Sequence, residues 1–189
     1  MKFPPLPVLA LGLLLGGCQP APAPQPASSP QAGPEAGTPD IAVAEATPVV
    51  QQTADVPTLQ VDTVDGGRYD LTEHRGKWVV VNFWATWCSP CLKEMPELSA
   101  LHAMRGNIEV VGLAYEDIEP ADMRAFLEKH PVAYPIAIID TYDPPKDFAT
   151  PRGLPMTYLI APDGKVARQF LGPVTAPDIE AAIAGGGAG

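Results

Sequence analysis

A nearly unbroken apolar run, Trp78-Val79-Val80-Val81-Asn82-Phe83-Trp84, hands over within four residues to Cys88-Ser89-Pro90-Cys91. β-Branched and aromatic side chains dominate the run, as they do in a central strand buried on both faces. Ser89-Pro90 then supplies a capping residue and a first-turn proline. Leu92, Met95, Leu98, Leu101 and His102 follow at helical spacing until Gly106 stops the element. A strand buried on both sides needs a covering layer on each, so the chain is expected to fold as an α/β domain with Cys88 and Cys91 at a helix N-terminus.

The flanking sequence fits that layout. Near Thr58 a period-two pattern of Leu59, Val61 and Val64 runs through Asp65-Gly66-Gly67 into Arg68-Tyr69-Asp70-Leu71, which reads as a β-hairpin. Ile108 to Ala114 is a second buried strand, and Ala121 to His130 a helix bracketed by Pro120 and Pro131. Pro135 to Ile139 is a short apolar run. Met156 to Ala161 is a stronger one, and Pro162-Asp163-Gly164-Lys165 turns it into an antiparallel partner, Val166 to Leu171. Thr175 with Asp178 three residues later opens a last helix, Ala176 to Ile183. This order predicts one domain over residues 58–185, a mixed sheet with helices on both faces and an N-terminal hairpin.

Upstream, Met1 and Lys2 precede an apolar stretch, Val8 to Gly17, of about ten residues, too short to cross a bilayer core of roughly 30 Å. Residues 1–17 read as an export signal. Leu15-Gly16-Gly17-Cys18 resembles the bacterial lipobox, which implies lipidation of Cys18 and its exposure as the mature N-terminus. Gln19 rather than Asp after it, by similarity to Gram-negative lipoproteins, favours the outer membrane over the inner, facing the periplasm. From Cys18 to Pro57 the chain turns to Pro, Ala, Gln, Ser and Gly. Such a composition does not bury enough surface to offset chain entropy, so 18–57 is expected to be a disordered tether. As polyproline II it would reach roughly 120 Å.

Twelve Lys and Arg stand against 22 Asp and Glu, a formal net charge of −10 in 189 residues, which repels a phosphate backbone and disfavours nucleic acid as a partner. The acidic stretch Glu116 to Glu119 reads as a solvated loop. Three cysteines are too few for a disulfide-stapled scaffold or a four-thiolate zinc site. His74, His102 and His130 have no ligand-like spacing, so no metal is expected. Two cysteines separated by two residues on a first helical turn have sulfurs close enough to bridge, and the unpaired N–H groups there stabilise a thiolate. Cys88, at the more exposed edge, is the expected nucleophile, and Cys91 the thiol that resolves a mixed disulfide. The redox-active pair then needs no other cofactor. A merely stabilising disulfide is the competing reading, but a loop this short restricts the unfolded chain little. A binding module that holds Cu(I) between the two thiolates is a third.

Asn82-Phe83-Trp84-Ala85-Thr86-Trp87-Cys88-Ser89-Pro90-Cys91, Gly153-Leu154-Pro155-Met156-Thr157-Tyr158-Leu159-Ile160 and Pro162-Asp163-Gly164-Lys165 resemble, in order, three landmarks of the thioredoxin superfamily. The closer likeness is to periplasmic thiol-disulfide oxidoreductases of the TlpA and ResA kind. The resemblance implies the thioredoxin fold, a cis-proline at Pro155 opposite Cys88, and backbone hydrogen bonds from Leu154 to a bound polypeptide. Trp87, Ser89 and Pro90 complete the implied substrate-binding set. Trp84 at the strand end reads as core at least as readily as docking surface. Met156 stands where the family more often has a hydroxyl residue. Ala85 replaces the Thr that peroxiredoxins place three positions before their cysteine, which disfavours peroxide chemistry.

Cytosolic thioredoxins carry a buried Asp where this chain has Asn82, which takes no proton. Glu94, three residues after Cys91 and therefore on the same helical face, is the replacement, and a matching Glu occurs in the ResA-like branch. Partly buried, it would have a raised pKa and accept the Cys91 proton. The chain is expected to be a monomer, lipid-anchored through Cys18, and the family resemblance implies a reductant of exported thiol proteins, such as those carrying cytochrome c or metal-site cysteines, recharged by an inner-membrane electron donor. The same motif also supports a disulfide oxidase or isomerase.

Overall fold

The computed structural model describes residues 50–186. The expected signal segment 1–17, Cys18 and the tether up to residue 49 lie outside the described residues. Strands β1 (Gln60–Asp62) and β2 (Arg68–Asp70) form a separate antiparallel hairpin in which Val61 faces Tyr69. The main sheet holds β3 (Trp78–Trp84), β4 (Ile108–Ala114), β5 (Ile136–Ile138), β6 (Met156–Ile160) and β7 (Val166–Leu171) in the order β5-β4-β3-β6-β7. β3, β4 and β5 run parallel, and β6 and β7 are added antiparallel. Three α-helices complete the domain: α1 (Ser89–Met104), α2 (Pro120–Lys129) and α3 (Ala176–Ala184).

Connectivity sets the layers. Chain crossovers between parallel strands are right-handed, and β3 to β4 to β5 steps twice in the same direction across the sheet. Both crossover helices must therefore lie on one face. Val80, Trp84, Val110, Ala114 and Leu159 of that face pack with Leu98 of α1, Met123 of α2 and Ile179 of α3. The opposite face presents Val79, Val81, Phe83, Leu113, Tyr158 and Ile160. It is covered by Leu59 and Tyr69 of the hairpin region, by Leu71 of a one-turn 3-10 helix (Leu71–His74) and by Phe148. The mixed sheet and the N-terminal hairpin are as expected, but helices on both faces are not: the three α-helices gather on one side, where both crossovers pass, and the hairpin, the 3-10 turn and Phe148 cover the other.

Side chains alternate across a strand, so Asn82 shares its face with Val80 and Trp84 and looks toward the helices. That alternation places a polar residue in the middle of the central strand directly against α1.

Residues 50–57, assigned on composition to the tether, instead lie along the domain as a strap. Val50 and Thr150 exchange hydrogen bonds, Val50 N donating to Thr150 Oγ1 and Thr150 N to Val50 O, each at 2.9 Å. Ala54 N donates to Asp147 O at 2.8 Å and Val166 N to Asp55 O at 2.9 Å. Backbone groups and hydroxyls make these contacts, so a search for buried apolar surface passes over them. The partner segment between β5 and β6, residues 139–155, has neither helix nor strand, and Pro144, Pro145, Pro151 and Pro155 punctuate it.

Candidate active site

β3 ends at Trp84, fully buried against the helices, and the chain turns sharply, Cys88 N donating to Ala85 O at 3.1 Å. That turn delivers Cys88 to the N-cap of α1, with Ser89 and Pro90 as its first two helical residues. Proline costs nothing there, because the first helical N–H groups have no intrahelical partner. Cys91 N, one of those unpaired donors, points at Cys88 Sγ at 3.3 Å. The two sulfurs form a disulfide with Cα atoms 5.3 Å apart. Cys88 retains a sliver of exposure, 4%, and Cys91 none, so the first sulfur is the accessible one. Trp87, 70% exposed, stands beside it, and Ser89 and Pro90 are also exposed.

One helical turn past Cys91, Glu94 is buried with 3% exposure. Its Oε1 accepts from Asn82 Nδ2 at 2.8 Å and its Oε2 from the Val174 backbone N at 2.8 Å. Asn82 Nδ2 also donates to Thr157 Oγ1 at 2.9 Å, so the polar thread links β3, α1, β6 and the approach to α3. Burial raises the carboxyl pKa from 4.5 to about 7, because desolvation penalises the charged form more than the two hydrogen bonds favour it. A group of that pKa takes up and returns a proton near neutrality.

Pro155 precedes β6. Met156 pairs with Phe83, and the same register carried one residue further sets Pro155 opposite Trp84, at the end of the sheet from which the cysteine loop leaves. The Leu154–Pro155 bond is cis, and Pro155 O accepts from Gly172 N at 2.9 Å. Leu154, half-buried, packs against the cluster that contains both cysteines. The fold thus gathers Cys88, Cys91, Glu94, Leu154, Pro155 and Trp87 at one end of the sheet. Cys18 lies outside the described residues. Reduced, Cys88 and Cys91 would present a two-thiolate site, the soft donor set a monovalent copper ion takes.

Glu116 departs from the solvated-loop expectation. Its carboxylate receives the Thr86 N–H at 2.6 Å and the Thr86 hydroxyl at 2.9 Å, pinning the loop two residues before Cys88. The contact spans thirty positions, and no local pattern in the sequence announces it. Asp117 and Glu119 are exposed, as expected.

The AhpC/TSA family model matches residues 52–171. The thiol-disulfide oxidoreductase ResA of Geobacillus thermodenitrificans is 35% identical over 125 residues, covering 66% of this chain and 71% of its own. ResA of Bacillus subtilis is 31% identical over 128 residues, covering 67% and 70%. Among solved structures, a thiol:disulfide interchange protein DsbE from Chlorobium tepidum superposes with a TM-score of 0.56 at 27% identity over 71% of this chain and 94% of its own. A DsbF homologue from Corynebacterium diphtheriae gives 0.60 at 26% identity over 70% and 86%. A dithiol pair capped on a helix, on a thioredoxin sheet, with these relatives has one assignment: the chain belongs to the AhpC/TSA family of thioredoxin-fold proteins and is a thiol-disulfide oxidoreductase of the ResA kind.

Proposed function

We propose that the protein is an exported, lipid-anchored disulfide reductase of the periplasm, acting on cysteines of other exported proteins, including those that receive haem or metal. The observation that carries this reading is the buried acid one turn beyond a helix-capping disulfide. Strong thiol oxidants owe their potential to a stabilised reduced form. Here the buried titratable group on α1 is Glu94, past the exposed Lys93, and its ionised form opposes a second negative charge at Cys91 and so favours giving up the electrons.

In the reducing direction, the Cys88 thiolate attacks a sulfur of the substrate disulfide, forming a mixed disulfide and expelling one substrate thiolate. Cys91 passes its proton to Glu94 and attacks Cys88 Sγ. The Cys88–Cys91 bond closes and the second substrate thiolate leaves. Two electrons have moved from the dithiol to the substrate, and an inner-membrane donor of dithiol electrons returns them. Leu154 and Pro155 hold the substrate backbone, and Trp87, Ser89 and Pro90 form the exposed surface it meets. Cys18, lipidated, would anchor the chain in the outer membrane, and the Pro- and Ala-rich composition of the sequence after it is that of a tether.

Replacing Cys91 with Ala should accumulate mixed disulfides through Cys88 in periplasmic extract, and these should vanish when Cys88 is replaced too. No trapped species in the single variant would contradict the exchange step. Metabolic labelling with a fatty-acid analogue, present in the full chain and lost in Cys18→Ala, tests the anchor.

A further inference from the structure

One hydroxyl of the strap bridges both arms of the loop that carries Leu154 and Pro155. On the arm before the loop, Ala149 N donates to Thr53 Oγ1 at 2.9 Å. On the arm after it, Thr53 Oγ1 donates to Tyr158 Oη at 3.0 Å. Tyr158 is fully buried, its ring set edge-on against Phe83 and Phe148. Its own proton reaches Met156 Sδ at 3.8 Å, and Gln169 Nε2 donates to the same sulfur at 3.3 Å. A thioether is a weak acceptor, so Thr53 is the strong partner of this phenol.

Further contacts, from the strap and from Thr58 just after it, converge on the same segment. Thr58 N and Oγ1 both donate to Asp147 Oδ2, at 2.8 and 2.6 Å, beside the Val50 and Thr150 pair already described. The loop has no helix or strand of its own to hold it. Between the strap and the β6–β7 surface lies a cavity of about 790 Å³ lined by Thr53, Arg152, Met156, Tyr158, Gln169 and Leu171. Without the strap, the loop has open space to move into on that side.

We propose that the strap is a positioning element for the Leu154 and Pro155 loop, with Thr53 as its pin. The segment that joins the tether to the domain thereby sets how the Leu154 backbone is presented to a bound polypeptide. This inference rests on the reading that the loop holds the substrate backbone. Thr53 touches neither sulfur nor substrate, so its effect is confined to reactions that use the loop.

The test compares two oxidants of the reduced full chain, a synthetic peptide with an intramolecular disulfide and oxidised glutathione. Thr53→Val, which keeps the shape and removes the hydroxyl, should lower kcat/KM for the peptide about tenfold while changing the glutathione rate less than about twofold. Thr53→Ser should restore the peptide rate. Tyr158→Phe, which breaks the bridge from the other side, should reproduce the split. Equal losses on both oxidants, or no loss on the peptide, would overturn the proposal. If the wild-type chain itself shows no preference for the peptide, the loop's substrate-holding role fails and this inference falls with it. A preference retained in Thr53→Val sinks the inference alone.

Discussion

Asn82 Nδ2 donates to Glu94 Oε1 at 2.8 Å, tying the middle of the central strand to the helix that carries both cysteines. In this fold the carboxyl and its scaffold are thus divided between two elements. The strand supplies a neutral amide and the helix supplies the acid, one turn from Cys91. A proton acceptor on α1 moves with the resolving thiol it serves.

Glu94 makes stability fall with rising pH. Its folded pKa, about 7, lies above the ordinary 4.5, so the folded state binds the extra proton between those values. Stability from this group is greatest below about 4.5 and declines as pH rises through about 7, by roughly 3 kcal/mol in all. Glu94→Gln should flatten that slope in urea unfolding from pH 4 to 8. It should also remove the pH dependence near 7 from the rate of disulfide closure after Cys88 has formed a mixed disulfide. An unchanged profile in both measurements would exclude the proton-acceptor role.

The Glu116 clamp on Thr86 should govern the order of the cysteine loop. Hydrogen bonds to a carboxylate contribute about 1.5–3 kcal/mol when buried, and half-burial reduces that, so Glu116→Ala should cost about 1 kcal/mol. Amide exchange at Thr86 should accelerate by roughly tenfold as its acceptor is lost. Exchange at wild-type rate in the variant would mean the clamp contributes nothing.

Gly112 faces Asn82 across the β3–β4 pairing. A Cβ there would sit 2.5 Å from Ile136 Cδ1 and 3.0 Å from Trp84 Nε1. Trp84, the last residue of β3, is fully buried with its ring 5.8 Å from that of Phe126 of α2, so it has little room to yield. Gly112→Ala should destabilise by about 1–3 kcal/mol through overpacking, measured by chemical denaturation, without altering the chemistry of the cysteines. A neutral result would show that Ile136 re-rotamers freely.

Local pattern accounts for what was legible in advance. The strand-to-helix handover at Trp84 to Cys91, the hairpins and the Thr175 cap are written in neighbouring residues, and they appear where periodicity and turn chemistry put them. Glu94 was readable as far as helical spacing carries it, to the face of Cys91. Its other partner, the Val174 backbone, lies eighty positions away and has no side-chain signature. The same holds for Glu116 and for the strap, whose contacts run through backbone and hydroxyl groups across 30 to 111 positions. The placement of α1 and α2 on one face follows from crossover handedness, once the strand order β5-β4-β3 is known; α3, after the last strand, joins them by packing Ile179 and Ala182 into the same cluster.

A reductase needs a dithiol that gives electrons away, and the reduction potential of the Cys88–Cys91 pair measures that tendency. The full chain, equilibrated against glutathione or dithiothreitol buffers and read by thiol alkylation, should give a value more negative than roughly −220 mV, among the reductants. A value near roughly −120 mV, the range of strong disulfide-forming oxidants, would rule out a reductase and reverse the direction of electron flow.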